Sequence, residues 1–300
     1  RDITPLLLDG LKRLEYRGYD SSGLIVLSKN NSFNRVRSVG KVKNLEENLR
    51  TRKNKIKGNI GIAHTRWATH GEPTNHNAHP HISNQIVSVV HNGIIENYLE
   101  LKDSQIKQGY KFTSDTDTEV IAHAIDFAMQ SNNTLLHSVQ KAIKTFEGAY
   151  GLGIISPHYP NTIIATRKGS PLVIGIGKYG NYIASDQLAL LSVTKKFIFL
   201  EDGDVAELKL EKITIYDKDG YQVVRPIKIS KIKEGQVDLG DYKHFMQKEI
   251  FEQPQSIRDT LESRITKESV VVSAFRHNAI NIFKNINQVQ IVACGTSFHA

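Results

Sequence analysis

The chain opens with a helical hydrophobic pattern that gives way to strand-like patterns. Apolar side chains recur at helical spacing over residues 3–14, which predicts an amphipathic helix. Two short apolar or alternating runs at 24–27 and 33–39, separated by five polar residues, predict a hairpin of strands. The same patterns predict further elements at 42–49 (helix), 60–63 (strand) and 86–90 (strand). Both of these later strands run directly into polar residues.

The middle of the chain separates helical from strand-like segments. Thr116 and Glu119 form a capping-box pattern, in which each side chain bonds to a free main-chain N–H at the start of a helix. One predicted helix follows to residue 129, and another covers 135–146. From 148 to 224 short apolar runs alternate with turns, which predicts a series of strands. We therefore predict an α+β fold with two sheets and the helices outside.

A polar stretch at 226–241 has no sustained period and is the predicted linker between two domains. The first domain is predicted at 1–225, and a second begins at 242 with a helical pattern. An apolar run at 289–293 predicts a buried strand in this second domain. Because the first residue is not methionine and the last strand leads into an unfinished glycine loop, we expect the second domain to be truncated at 300 and both ends to be cut.

Composition and charge narrow the class of protein. Of the 300 residues 39% are hydrophobic, which is ample for a buried core, and we expect no membrane partner because no run is long and apolar enough to span a bilayer. The net charge of +8 lies in residues 1–58, mostly around the helix predicted at 42–49, and a solvated helix face and loop explain it. Since few aromatic residues accompany this charge, we expect no nucleic-acid partner. The single cysteine, Cys294, favours a reducing cytoplasm.

Half of the twelve histidines lie close together in the chain. They are His64, His70, His76, His79, His81 and His91. A zinc site needs three or four ligands at regular spacing, often with cysteine, and these histidines are irregularly spaced on predicted loops without one. We therefore predict hydrogen-bonding histidines and no metal.

Two other segments carry candidate chemistry. Arg66 is the only Arg or Lys between positions 58 and 101, and its planar fork suits a carboxylate ligand; an ion pair with Glu72 or Asp117 is the structural alternative. Asn92-Gly93, at a predicted strand end, offers two donors for an oxyanion hole, although this dipeptide more often forms a tight turn.

Carboxylates and hydroxyls supply two weaker signals. Asp117 could bind an ammonium group, and helix capping is its alternative role. Cys294-Gly295-Thr296-Ser297 resembles a phosphate-binding turn at the start of a helix but lacks the lysine and the spacing of a P-loop.

Taken together, these strings resemble the family of the glutamine:fructose-6-phosphate aminotransferases. The matching strings are LEYRGYDS (14–21), HTRWATHGEP (64–73), NAHPH (77–81), HNGIIEN (91–97), SDTDTE (114–119), RKGSPLVIG (167–175), ASDQLA (184–189), QKEIFEQP (247–254) and ACGTS (293–297). The resemblance covers essentially the whole chain. It implies a four-layer α/β/β/α N-terminal-nucleophile (class II) glutamine amidotransferase domain, followed by the start of an α/β sugar-isomerase domain.

The resemblance also implies roles for single residues. Arg66 would hold the α-carboxylate of L-glutamine, Asp117 its α-ammonium group, and Asn92 and Gly93 the oxyanion. Further residues match the glutamine loop or the D-fructose 6-phosphate pocket: Trp67, Thr69, His70 and His79 for glutamine, and Thr296 and Ser297 for the sugar phosphate. No cofactor is implied, and the family is usually oligomeric, with a homodimer expected here.

One departure from the family pattern concerns the nucleophile. In the family it is a cysteine at the mature N-terminus, whereas this sequence starts with Arg1, so we expect a strand carrying that cysteine upstream and expect the chain as printed to be inactive. Two alternatives stay open. One is another class II amidotransferase, such as an amidophosphoribosyltransferase, and the other is a non-catalytic sugar-phosphate sensor that has lost its nucleophile.

Overall fold

The structure is a computed structural model that describes residues 2–17, 19–53, 55–232, 242–261, 269–270, 279–290 and 292. Contacts between Cα atoms divide the chain into two units, Arg1–Val237 and Asp238–Ala300. In the described part of the chain, no helix has the length and apolarity that crossing a membrane requires.

The first unit contains five α-helices and fourteen strands among its described residues. The helices are α1 (Thr4–Leu14), α2 (Val42–Thr51), α3 (Tyr98–Lys107), α4 (Thr118–Met129) and α5 (Leu135–Ala142). The strands are β1 (Ser21–Leu27), β2 (Phe33–Val39), β3 (Ile60–Arg66), β4 (His81–Ser83), β5 (Val87–Ile95), β6 (Gly148–Ile155), β7 (Ile163–Lys168), β8 (Val173–Gly177), β9 (Gly180–Ala184), β10 (Lys196–Phe199), β11 (Val205–Leu208), β12 (Ile213–Tyr216), β13 (Gln222–Val223) and β14 (Ile227–Ile229). Helix α3 and strand β4 were not predicted from the sequence.

Four layers of secondary structure lie one on another. Leu11 of α1 and Leu45 of α2 pack in one core cluster with Leu24 and Val26, on one face of the antiparallel sheet β2-β1-β3. The opposite face of this sheet packs on the seven-stranded sheet β13-β12-β11-β7-β6-β5-β4. The far face of the larger sheet is covered by α4 and α5 in the largest apolar cluster. The order helix, sheet, sheet, helix is the predicted layering.

A third sheet was not predicted. Its strands lie in the order β14-β10-β8-β9, and all neighbouring pairs are antiparallel. Strand β14 lies within the predicted linker at 226–241 and pairs with β10, whereas residues 233–241 fall outside the described part. The domain boundaries of 1–225 and 242–300 stay a prediction.

The second unit is described for two helices. They are α6 (Phe245–Leu261), which continues through Pro254, and α7 (Ala279–Lys284). In place of the predicted buried strand, Val289 and Val292 are 73% and 86% exposed and are not in a strand. Cys294, Thr296 and Ser297 lie outside the described residues.

Candidate active site

Arg66 lies deeper in the fold than its predicted place in a loop. It is the last residue of β3, because that strand continues past the predicted end to stay paired with β1. Only 4% of its side chain is exposed. Nη2 donates to the main-chain oxygens of His70 and Gly71, and Nη1 donates to that of Glu72 at 3.2 Å. The guanidinium thus holds the following loop in place.

The ion pair of Arg66 is not the one considered from the sequence. Its Nη1 lies 3.3 Å from Oδ1 of Asp20, whereas Glu72 contacts it only through the main chain. Asp117 is likewise not the carboxylate that pairs with it in the structure. Asp20 immediately precedes β1, and it is separated from Arg66 by 46 positions in the chain.

Trp67, Thr69 and His70 belong to the loop after β3. The ring of Trp67 is exposed, at 68%. His70 Nδ1 lies 3.3 Å from Thr69 Oγ1 and 4.0 Å from Oδ1 of Asp117, and its ring meets Tyr98 edge-on at 4.7 Å between centroids. The loop therefore brings an imidazole beside the Asp117 carboxylate and leaves a large ring at the surface.

Asn92 and Gly93 do not form a turn. They lie within β5, which continues to Ile95 because β6 pairs with it along its whole second half. Gly93 has φ +139°, and a Cβ at this position would lie 2.0 Å from the main-chain oxygen of Ala149. Glycine is thus required here by both the backbone conformation and the close approach of β6.

Asp117 precedes α4 and is buried, but it does not cap that helix with its side chain. Its Oδ2 accepts a hydrogen bond from the main-chain N–H of Ile95 at 2.8 Å, which ties it to β5. The predicted capping box is also wrong. Glu119 accepts from the main-chain N–H groups of Thr113 and Ser114, whereas the main-chain N–H of Thr116 donates to Ser114 Oγ.

Behind these residues lies a group of imidazoles, of which those of His79, His81 and His91 are buried and that of His64 is partly buried. The rings of His64 and His79 stack at 4.3 Å between centroids. Thr118 Oγ1 lies 3.1 Å from both His79 Nε2 and His91 Nδ1, and His81 Nε2 lies 3.2 Å from a threonine hydroxyl in the same segment. Hydrogen bonding was the predicted role for these histidines. Among the described residues no group of three or more His, Cys, Asp or Glu is arranged to hold a metal ion.

Burial keeps these imidazoles neutral. Desolvation, with a smaller contribution from His91, lowers the pKa of His64 to about 3. Desolvation followed by the charge of Arg37 lowers the pKa of His81 well below its ordinary 6.5. The neutral form is therefore the one that the fold stabilises.

Below pH 6.5 these histidines take up protons in the unfolded chain but not in the folded site. The free energy of unfolding is therefore highest above pH 6.5 and falls as the pH drops below that value. Proton uptake by one such histidine in the unfolded chain lowers the free energy of unfolding by roughly 1 kcal/mol at pH 5.5. We expect His81→Gln to reduce the loss of unfolding free energy between pH 7 and pH 5.5 by that amount, roughly 1 kcal/mol, measured by urea unfolding. His76→Gln is the control, since the His76 ring is 55% exposed. Equal pH slopes in both variants would contradict a buried neutral His81.

Two arginines of β2 have a structural role that the sequence did not suggest. Arg35 and Arg37 are not on a solvated face: Arg35 donates to the main-chain oxygen of Pro80, and Arg37 donates to those of His76 and Ala78. They hold the segment that carries His79. Part of the basic excess is thus used inside the fold.

The predicted glutamine residues that the structure describes line one cavity. Its volume is about 1830 Å³, and every residue of β3 contributes to its wall. The predicted residues in this wall are Arg66, Trp67, Thr69, His70, His79, Asn92, Gly93 and Asp117. One guanidinium, one buried carboxylate and two candidate oxyanion donors therefore face a shared space, which suits a zwitterionic amino acid.

Two functional candidates were missed from the sequence. Thr118 joins His79 and His91, and its hydroxyl sits one residue after Asp117. Asp20 pairs with Arg66. The only signal for Asp20 was its place within the string LEYRGYDS, which carries no hint of its partner in β3.

Comparisons with known proteins agree on the class of the chain. A glutamine amidotransferase domain profile matches residues 64–192. The chain is 49% identical over 300 residues to the glutamine–fructose-6-phosphate aminotransferase (isomerizing) of Haemophilus influenzae and 51% identical over 302 aligned residues to that of Buchnera aphidicola. Each match covers 100% of this chain and 49% of the relative, so the chain spans about half the length of the curated relatives it matches.

A solved structure supports the fold. The glutamine phosphoribosylpyrophosphate amidotransferase of B. subtilis, complexed with ADP and GMP, superposes with a TM-score of 0.61 at 25% identity. The match covers 71% of this chain and 46% of that chain. The predicted class II amidotransferase fold is confirmed by this likeness together with the observed layers. The identity of 49–51% to the aminotransferases, against 25% here, favours the aminotransferase interpretation over the amidophosphoribosyltransferase alternative.

Proposed function

The chain belongs to the glutamine–fructose-6-phosphate aminotransferase family, and we propose that it is the glutamine-hydrolysing part of an enzyme that makes D-glucosamine 6-phosphate. The substrates are L-glutamine and D-fructose 6-phosphate, and L-glutamate is released. The observation that carries the proposal is the shared cavity, in which Arg66 and Asp117 present opposite charges near Asn92 and Gly93.

Glutamine is recognised through its zwitterionic end. The α-carboxylate binds the guanidinium of Arg66, where it replaces main-chain carbonyls of the loop; a carboxylate is the stronger acceptor because it is charged. The α-ammonium group binds Asp117, whose Oδ2 is fixed by Ile95 N–H and whose Oδ1 faces His70. Thr69, His79 and Trp67 line the same cavity and complete the glutamine site.

The side-chain amide of glutamine then lies against β5. Attack by a thiolate on its carbonyl carbon forms a thioester, and the C–N bond breaks as the leaving nitrogen takes up the proton that the thiol gave up, so that ammonia is released. The developing negative oxygen is stabilised by the Asn92 amide and the Gly93 N–H, donors of a kind worth about 2.7–4 kcal/mol each in the transition state. Water then hydrolyses the thioester to glutamate and frees the thiol.

We assign the thiol to a cysteine on a strand that pairs with β3. Within the described residues β3 pairs only with β1, and the residues along β3 line the cavity. A further strand is the element that would supply hydrogen-bond partners in series to the main-chain N–H and C=O groups on the second edge of β3. Such a strand would run towards Asn92 and Gly93, which also line this cavity.

The second half of the reaction belongs to the sugar-isomerase part of the protein. Ammonia passes internally to D-fructose 6-phosphate, and Thr296 and Ser297 contribute to the pocket for its phosphate. The proposal includes a cytoplasmic homodimer with no nucleic-acid or membrane partner. The concentration of the basic excess in residues 1–58, where Arg35 and Arg37 bond to main-chain oxygens, supports the absence of a nucleic-acid site.

The test is made on the full-length protein with glutamine labelled with nitrogen-15 in its side-chain amide. We expect labelled glucosamine 6-phosphate and glutamate in equal amounts from fructose 6-phosphate, and no product from 5-phosphoribosyl pyrophosphate. Arg66→Ala should raise the KM for glutamine roughly 10- to 100-fold, since a charge-assisted hydrogen bond contributes about 1.5–3 kcal/mol. The KM for fructose 6-phosphate should stay unchanged.

Two outcomes would contradict this proposal. Equal effects of Arg66→Ala on both KM values would remove the carboxylate role from Arg66. Absence of glutamate release by the full-length protein, with sugar phosphate still bound, would instead favour the non-catalytic sensor.

A further inference from the structure

Asp20 is held rigidly beside Arg66 by its own main chain. Its N–H donates to the main-chain oxygen of Arg66 at 2.7 Å, and its C=O accepts from Gly40 N–H at 2.7 Å. The main chain that carries the carboxylate is therefore fixed by hydrogen bonds on both sides, and one of these bonds is to the main chain of Arg66 itself. Its position does not depend on the loop at 67–73.

The Asp20 carboxylate is bonded in an uneven way. Oδ1 accepts from Ser21 Oγ at 2.7 Å and from Arg66 Nη1 at 3.3 Å. Oδ2 is buried and has no hydrogen-bond partner among the described residues. An asparagine would offer the same acceptor for both bonds without the desolvation cost of a buried, unbonded anionic oxygen. What the carboxylate adds is therefore its charge, placed opposite a guanidinium that is 4% exposed.

The two ends of the Arg66 guanidinium meet different partners. Nη1 contacts the fixed Asp20 carboxylate and also donates to the main-chain oxygen of Glu72, whereas Nη2 donates only to main-chain oxygens, those of His70 and Gly71 in the loop. Neutral carbonyls are weaker acceptors than a carboxylate, so an incoming carboxylate displaces them more readily than it displaces Asp20. The Nη2 side is thus the exchangeable side.

We propose that Asp20 is a positioning residue for glutamine. Its charge holds the Nη1 side of Arg66 in place, while the α-carboxylate of glutamine accepts the hydrogen bonds that Nη2 otherwise donates to the main-chain oxygens of His70 and Gly71. This inference rests on the proposed glutamine site. It assigns Asp20 no contact with the substrate, and its effect reaches glutamine only through Arg66.

Asp20→Asn keeps the shape and the Oδ1 acceptor, removes the charge, and replaces Oδ2, which has no hydrogen-bond partner among the described residues, with an amide NH2 group. In the full-length enzyme we expect the KM for glutamine to rise about tenfold, a change of about 1.4 kcal/mol. The kcat with saturating glutamine and the KM for fructose 6-phosphate should change little. Asp20→Glu, which restores the charge, should recover part of the loss. Asp9→Asn is the matched control, because Asp9 pairs with Arg13 on the surface of α1.

A second substrate separates positioning from general destabilisation. L-glutamine α-amide lacks the α-carboxylate, so Asp20→Asn should raise the KM for this compound much less than it raises the KM for glutamine. A lower KM for glutamine in Asp20→Asn would overturn the proposal, since it would mean that Asp20 competes with the substrate for Arg66. An equal loss for both substrates would overturn it too, because it would indicate a structural role alone.

The Arg66→Ala variant, measured in parallel, tells the two proposals apart. If Arg66→Ala discriminates between glutamine and its α-amide and Asp20→Asn does not, the inference about Asp20 fails and the glutamine site stands. If neither variant discriminates, the carboxylate role of Arg66 fails as well.

Discussion

Extending the chain at its N-terminus by a strand that begins with cysteine is expected to turn on glutamate release from L-glutamine. The 300 residues contain one cysteine, Cys294, which follows the predicted linker in sequence and does not belong to the unit that forms the cavity. The strand is expected to pair with β3 and to carry its thiol towards Asn92 and Gly93. The terminal amine of the same cysteine then acts as the base that activates the thiol.

The measurement compares three purified proteins in a coupled glutamate assay. They are the 300-residue chain, the chain preceded by a short strand that begins with cysteine, and the latter with that cysteine changed to Ala. We expect activity only in the second. The alanine variant keeps the paired strand, so its inactivity assigns the chemistry to the thiol rather than to completion of the fold.

Two results would contradict the prediction about the terminal cysteine. Glutamate release by the 300-residue chain at a rate near that of the extended chain would mean that the thiol proposed on the β3-paired strand is not needed. Inactivity of the extended chain, with bound glutamine detected by calorimetry, would leave the glutamine site in place and overturn the assignment of the strand to β3.

Hydrophobic patterns within single segments predicted much of the fold. The helix at Thr4–Leu14 and the hairpin of β1 and β2 follow from periodicity within single segments, and they formed where they were predicted, except that β1 begins at Ser21 and not at 24. The strands whose ends were misplaced, β3 and β5, are extended by their neighbours. Their polar ends carry no strand signal, yet the ladders with β1 and β6 satisfy their main-chain groups.

Contacts between segments that are far apart in the chain could not be predicted from local sequence patterns. The third sheet brings together strands from Val173–Gly177, Lys196–Phe199 and Ile227–Ile229, and nothing local says that the last of these is more than a linker. The pair of Asp20 and Arg66 is of the same kind. Most candidate site residues, by contrast, were proposed from the resemblance, because their strings are unusual even though their local structure was misread.

Gly93→Ala is the substitution in this site with the clearest steric consequence. The new Cβ would lie 2.0 Å from the oxygen and 2.7 Å from the carbon of the Ala149 carbonyl, and the backbone at φ +139° is one that side chains rarely adopt. Both atoms of Ala149 are main chain, so the clash cannot be relieved by a rotamer change. β5 must shift away from β6, and the Gly93 N–H moves with it.

We expect Gly93→Ala to lower the kcat for glutamine hydrolysis by roughly a thousandfold or more, since one oxyanion donor alone contributes about 10²–10³ in rate. Synthesis of glucosamine 6-phosphate from free ammonia should persist in the full-length enzyme, which shows that the remainder of the protein is folded. Gly220→Ala is the matched control: Gly220 also has positive φ, at +88°, but a Cβ there meets nothing within 4 Å. Its effect should be confined to stability, at about 1–2 kcal/mol. If both variants hydrolyse glutamine equally well, the close approach of β6 at Gly93 does not set the geometry of the oxyanion site, and the donor must be sought elsewhere in the cavity.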